Sequence, residues 1–264
     1  MRASGPLTFP CFAWAPSSPK GERRRARTRN PMTTLNPICI ALDTPDLDRA
    51  RTLARNLKPH AGYLKLGMEF FYAHGARGYE TVAAEGLPIF LDLKLHDIPN
   101  TVASALSALM NLSPRPAIIN VHASGGLDMM KAARGAVGTS AKLIAVTILT
   151  SLSDSDIHAA GFYSAKHTKD HALSLAELSR KAGLDGVVCS AQDVASIREA
   201  IGRDFLTVVP GIRTGDAVQD QKRVSTPATA LAAGADILVI GRAITGASDP
   251  VAAAQTILAS LHAR

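Results

Sequence analysis

Within the apolar segment Ile89–Leu95, an aspartate and a lysine stand two positions apart, Asp92 and Lys94. Alternate side chains of a strand share a face, so these two would point one way and Leu91, Leu93 and Leu95 the other. Buried carboxylate and ammonium groups cost several kcal/mol each unless paired or used. A second lysine, Lys65, lies in the similar segment Tyr63–Gly67, and Asp43 closes the segment Ile38–Asp43. Charges of both signs in a water-poor interior are what electrostatic and proton-transfer catalysis require. The bland alternative is an ion-pair cluster that plugs the interior. A second constellation couples glycine to arginine twice, in Gly211-Ile-Arg213 and Gly241-Arg242. Backbone N–H groups beside a planar guanidinium suit a phosphate dianion, and the alternative is an ordinary turn into a helix.

These residues need elements to hold them. From residue 37 onward, short β-branched runs alternate with longer Ala-rich stretches of helical period, the pattern of repeated βα units on a parallel sheet. The runs predict eight strands: Ile38–Asp43, Tyr63–Gly67, Ile89–Leu95, Ile118–His122, Leu143–Thr147, Gly186–Ser190, Thr207–Pro210 and Ile237–Ile240. Helices are predicted between them, among others Leu47–Leu57 behind the cap residue Asp46, Thr101–Leu109, Ala172–Ala182 and Val251–His262 after Pro250. Eight parallel strands with right-handed crossovers close most naturally into an α/β (β/α)8 TIM barrel. An open doubly wound sheet would want a Gly-rich turn after strand one, where the sequence instead reads Leu42-Asp43-Thr44-Pro45. In a barrel the polar strand ends are the working face, which adds Asn120, His122 and Thr150 to the residues gathered there.

A chain of 264 residues at 47% hydrophobic and 19% charged composition has material for one large core. The net charge of +7 is local: residues 1–31 carry seven Lys and Arg against Glu22, or +6, which leaves +1 for residues 32–264. A nearly neutral body gives no footprint for nucleic acid, though a pocket for one phosphate is compatible with it. Residues 1–31 are rich in Pro, Ser and Arg without hydrophobic period, so they are expected to be a disordered extension outside the fold, with the barrel spanning 32–264. An Arg-rich transit peptide is the alternative, although Pro6, Pro10, Pro16 and Pro19 interrupt the helix it would form. Cys11, Cys39 and Cys189 are odd in number and widely spaced, which points to neither a disulfide framework nor a structural metal and favours a reducing, cytoplasmic compartment. No apolar stretch approaches the roughly 18 residues of a membrane span.

The segment Leu91–Thr101 reads LDLKLHDIPNT, which resembles the signature of the orotidine 5′-monophosphate decarboxylase family. The likeness extends over residues 37–262 through ALD at 41–43, YLKLGME at 63–69, NVHASGG at 120–126, VTILTS at 146–151, GLDGVVCSAQ at 183–192, VPGIR at 209–213 and VIGRAIT at 239–245. The resemblance implies a homodimeric barrel with shared sites, a small nucleotide substrate, and neither metal nor organic cofactor. It implies a charge network of Lys65, Asp92, Lys94 and Asp97, in which Asp97 and Thr101 reach into the neighbouring subunit's site. Asp43 corresponds to a ribose-hydroxyl ligand, Thr150 to a pyrimidine contact, and Arg213, Gln221, Gly241 and Arg242 to the phosphate side.

Decarboxylation at carbon six of the pyrimidine leaves a carbanion in the ring plane, beyond the reach of the π system, so its stabilisation has to be electrostatic. The implied roles are Lys94 as cation and proton donor to carbon six, with Lys65, Asp92 and Asp97 holding it. His96, His122 and Met68 are expected to be packing residues. One competitor is a metal-dependent sugar-phosphate lyase of the same suprafamily, of the 3-keto-gulonate 6-phosphate decarboxylase or hexulose phosphate synthase type. Those enzymes place an acidic metal ligand on strand two, where this sequence has Lys65. Another competitor is a non-catalytic nucleotide-binding barrel, disfavoured by the complete charged set.

Overall fold

The computed structural model describes residues 36–213 and 223–262. The expectations for residues 1–31 and for Gln221 lie outside them. Eight parallel strands, β1 (Ile38–Ala41), β2 (Tyr63–Gly67), β3 (Ile89–Leu95), β4 (Ile118–His122), β5 (Lys142–Val146), β6 (Gly186–Val188), β7 (Leu206–Val209) and β8 (Ile237–Ile240), form a closed barrel in sequence order, β8 pairing with β1. The helices are α1 (Leu47–Leu57), α2 (Met68–Ala83), α3 (Pro99–Leu109), α4 (Gly126–Val137), α5 (Asp154–Ala159), α6 (Thr168–Lys181), α7 (Val194–Ile201), α8 (Pro227–Ala232), α9 (Arg242–Thr245) and α10 (Pro250–His262). Asp46 caps α1 as expected, its side chain accepting from the Arg49 N–H at 3.0 Å.

Alternation along each strand sorts the core into two layers. Ile38, Ile40, Leu64, Leu66, Leu91, Leu93 and Ile119 pack outward against the helices, while Cys39, Ala41, Tyr63, Phe90, Ile118, Ile144, Val208 and Val239 fill the barrel. One step of two residues further along, the inward face changes character: Tyr63 gives way to Lys65, Phe90 to Asp92 and Ile118 to Asn120. The N-terminal half of the interior is therefore an apolar floor, and the charged residues begin where it ends.

Several strands end earlier than their composition predicts, each for a local reason. β1 stops at Ala41 because the Thr44 N–H folds back onto the Leu42 carbonyl, which leaves Asp43 in the turn. β6 stops at Val188 because the Asp193 carboxylate takes the Ser190 N–H at 3.1 Å. β7 stops before Pro210, which has no N–H to give the ladder. β5 runs one residue earlier than predicted, and α3 and α6 start earlier, at Pro99 and Thr168. Proline is well placed in a first helical turn, and the Asp170 carboxylate accepts the His167 N–H at the head of α6. The short helices α5 and α9 are not predicted by periodicity, since six and four residues are too few to display it. Among the described residues, no helix is long and apolar enough to cross a membrane.

Candidate active site

Asp92 and Lys94 sit where β3 stops being regular. Leu91 stands opposite Ile119 and Leu95 opposite Val121, so three residues of β3, Asp92 to Lys94, face the single β4 residue Asn120. Lys94 has φ +53° and is the only non-glycine residue in the left-handed region among the described residues. This corrects the reading from simple alternation. The two side chains converge because the bulge turns Lys94 back toward Asp92, and a regular strand is not what aligns them.

Four charges alternate in sign along a chain of contacts. Lys65 Nζ lies 2.9 Å from Asp43 Oδ1 and 3.3 Å from Asp92 Oδ2, and Lys94 Nζ lies 2.7 Å from Asp92 Oδ1. Burial pushes the Asp92 carboxyl up, but Lys65, Lys94 and the Asn120 amide together outweigh burial and hold it below the usual carboxylate value. Burial likewise opposes the charge on Lys65, and Asp92 and Asp43 outweigh it, so the ammonium binds its proton more tightly than usual. A Cβ at Gly67 would come within 3.1 Å of Lys65 Nζ and 3.2 Å of Asp43 Oδ1, so a side chain at the end of β2 would crowd the pair.

The cluster forms part of the wall of a cavity of about 610 Å³, in the range of small-ligand sites. Thr150, Arg213, Gly241 and Arg242 line the same cavity, as do Glu69, Ser151 and Cys189. In a closed ring of eight, β7 stands across from β3, so Arg213 approaches from the side facing Asp92 and Lys94. Gly211 has φ +75°, which a side chain would strain, and it sets the turn that carries Arg213. Burial raises the Cys189 thiol well above its ordinary pKa, so it is an inert part of the wall.

Two expected members are elsewhere. Asp97 is exposed, accepts the N–H of its neighbour Ile98 at 2.7 Å, and does not line the cavity; Thr101 is exposed on the first turn of α3. Within one chain the network is Asp43, Lys65, Asp92 and Lys94; β3 ends at Leu95, and Asp97, expected to serve a neighbouring subunit's site, does not join the cluster of its own chain. His96 and Met68 are not packed as expected. His96 is exposed with its ring 5.5 Å from that of His122, and Met68 at the start of α2 is 42% exposed. His122 is half-buried; burial, His96 and Lys94 lower its pKa to about 4.

Sequence reasoning missed two contributors. Asn120 was gathered on the working face at the end of strand four but was given no role; it is fully buried and bonded to both Asp92 and Lys94. The available signal was its inward register, two residues after Ile118. Arg223 was not singled out at all. Its guanidinium pairs with buried Asp193 at 2.9 Å and donates to the Ile148 carbonyl at 2.9 Å, while its backbone N–H donates to the Thr150 carbonyl at 3.2 Å. It braces the segment that carries Thr150 from a position 73 residues later in the chain, which no local pattern shows.

Fold and cavity together are those of a (β/α)8 barrel enzyme, with ionised groups gathered at the C-terminal ends of the strands. Residues 36–257 match the Orotidine 5′-phosphate decarboxylase / HUMPS family, and this chain belongs to that family. It is 52% identical over 227 residues to an orotidine 5′-phosphate decarboxylase of Novosphingobium aromaticivorans, covering 86% of this chain and 99% of that protein. It is 50% identical over 234 residues to one of Rhodospirillum rubrum, covering 85% and 93%. The crystal structure of orotidine 5′-phosphate decarboxylase from Lactobacillus acidophilus superposes with a TM-score of 0.74 at 38% identity, covering 86% of this chain and 99% of that one.

Proposed function

We propose that this chain decarboxylates orotidine 5′-phosphate to UMP and carbon dioxide, in pyrimidine biosynthesis. The observation that carries the reading is the alternating series Asp43, Lys65, Asp92, Lys94 in the wall of a cavity also lined by Arg213 and Arg242. The bond from carbon six to the carboxylate breaks, carbon dioxide leaves, and the electron pair stays on carbon six. Lys94 then donates a proton from Nζ to that carbon, and the resulting amine recovers a proton from water. One ammonium about 4 Å from unit negative charge is worth on the order of 4 kcal/mol at an effective dielectric near 20, whereas enzymatic barrier reductions reach roughly 20 kcal/mol. Lys94 therefore acts with a preorganised set: Asp92, kept ionised, holds its ammonium in place, and Lys65 keeps Asp92 ionised. A substrate carboxylate beside Lys94 also lies against Asp92, and loss of carbon dioxide relieves that repulsion.

Arg213, Arg242 and the backbone at Gly241 take the 5′-phosphate, with Gln221 as a fourth member, and Asp43 takes a ribose hydroxyl. Thr150 faces the pyrimidine. Phosphate contacts remote from the reacting carbon supply binding energy that orients the ring. The site is completed by a second copy of the chain, whose Asp97 and Thr101 enter it. Support comes from the exposure of Asp97 and Thr101 together with the exposed apolar residues Met68 and Tyr72 at the start of α2 and Ile98 just before α3. Cys39 and Cys189 are buried free thiols, in keeping with a cytoplasmic enzyme.

The test is the ultraviolet absorbance change of orotidine 5′-monophosphate with purified protein, with and without a chelator. Turnover that chelation leaves intact is expected. Absence of turnover would refute the proposed reaction, and turnover abolished by the chelator and restored by a divalent cation would refute its metal-free mechanism.

A further inference from the structure

A single buried amide holds both halves of the Asp92–Lys94 pair. Asn120 Nδ2 donates to Asp92 Oδ1 at 2.7 Å, the same oxygen that receives Lys94 Nζ at 2.7 Å. Asn120 Oδ1 accepts the backbone N–H of Lys94 at 2.8 Å. The amide is fully buried, at the one β4 position that faces the three-residue bulge of β3.

Two features of Lys94 need an explanation. Its backbone is in the left-handed region, which a residue with a long side chain avoids unless its surroundings hold it there. In addition, the bulge takes residues 92–94 out of register with β4, so the Lys94 N–H finds its acceptor in a side chain rather than in a β4 carbonyl. Asn120 meets both needs. Its carbonyl oxygen replaces the missing ladder acceptor and its NH₂ group steadies the carboxylate. Asparagine alone among residues of this size offers donor and acceptor on one planar group. Leucine in that volume would leave the Lys94 N–H and one carboxylate lone pair unsatisfied, and aspartate would set a carboxylate against Asp92.

We infer that Asn120 is a positioning residue for the reaction: it fixes the left-handed backbone of Lys94 and, by the same side chain, the carboxylate that receives the Lys94 ammonium. The inference rests on the function proposed above, in that Lys94 is taken as the proton donor. Asn120 does not line the cavity, so it would act through Asp92 and Lys94. Its removal should therefore lower kcat while binding of the nucleotide through the phosphate-side residues persists.

The experiment compares the wild type with Asn120→Ala and Asn120→Asp. For Asn120→Ala we expect kcat lower by roughly two orders of magnitude, KM and the Kd for UMP within about threefold of wild type, and a crystal structure in which Lys94 has left positive φ. Asn120→Asp keeps the acceptor for the Lys94 N–H but loses the donor to Asp92. It should retain the left-handed Lys94, and the acidic limb of its kcat profile should move to higher pH, a change that a purely structural residue would not produce. Equal losses in kcat and in UMP affinity, or near wild-type kcat with Lys94 unmoved in Asn120→Ala, would overturn the inference. The backbone measurement needs no substrate. A wild type that fails to turn over orotidine 5′-monophosphate would refute the proposed reaction, and the Lys94 conformation in the two variants would still decide the role of Asn120.

Discussion

Replacing Lys65 by methionine isolates the energetics of the charged series, because methionine keeps most of the stem volume and removes only the ammonium. Lys65 is 8% exposed, and its Nζ lies 3.3 Å from Asp92 Oδ2. Unit charges at that distance attract by about 5 kcal/mol at an effective dielectric near 20. The loss should be smaller, since Asp92 keeps its contacts with Lys94 and Asn120 and the half-exposed Asp43 can turn to water. We expect a destabilisation of about 3 kcal/mol, the lower end of the range for removing one partner of a buried pair. Urea unfolding at neutral pH measures it. Adding Asp92→Asn removes the stranded charge, so the double variant should be more stable than the sum of the single effects by about 2 kcal/mol. The pH dependence follows from the direction of the Asp92 shift. A carboxyl held low in the folded state contributes stability above its unfolded pKa of about 4, and that stability is lost as pH falls through the lower folded value. In Lys65→Met the carboxyl is no longer held as low, so the deficit relative to wild type should shrink on acidification. Additivity of the two substitutions within about 0.5 kcal/mol, or a deficit independent of pH, would refute the series as an energetic unit.

Three further outcomes are expected. Arg242→Ala should weaken kcat/KM for orotidine 5′-monophosphate by roughly 10- to 100-fold while leaving unphosphorylated orotidine nearly unaffected, as befits one charge-assisted contact; equal losses on both would remove Arg242 from the phosphate side. His122 titrates near 4 in the folded chain against an ordinary 6.5, so the unfolded chain takes up its proton first and stability should fall as pH drops through that window. His122→Gln should flatten this fall when unfolding midpoints are compared at pH 6.5 and 4.5, and an unchanged slope would mean that the ring is not held neutral. Mixing subunits of Lys94→Ala and Asp97→Asn, each inactive alone, should restore about a quarter of wild-type sites if Asp97 serves the partner's site; no recovery under proven subunit exchange would place Asp97 in its own.

The sequence alone determined the eight strands, the closed α/β barrel, and the inward turn from apolar to charged at Lys65 and Asp92, because alternation with a period of two is a local property of a strand. It also determined the phosphate-side candidates Arg213 and Arg242, because a glycine turn after a strand is legible within four residues. Only the tertiary structure decided how Asp92 and Lys94 meet. Their convergence depends on a bulge defined by pairing with β4 and on an amide 26 residues later, so reading β3 by itself assigned it to the wrong cause. Arg223 was invisible for the same reason: its partners Asp193, Ile148 and Thr150 adjoin it only once β5, β6 and the chain after β7 are side by side. Asp97 marks the boundary of what one chain can decide. Its residue type was readable from the motif, but in a single barrel it is exposed and outside the cavity wall, because a side chain beyond the strand end is aimed by whatever packs there rather than by the strand.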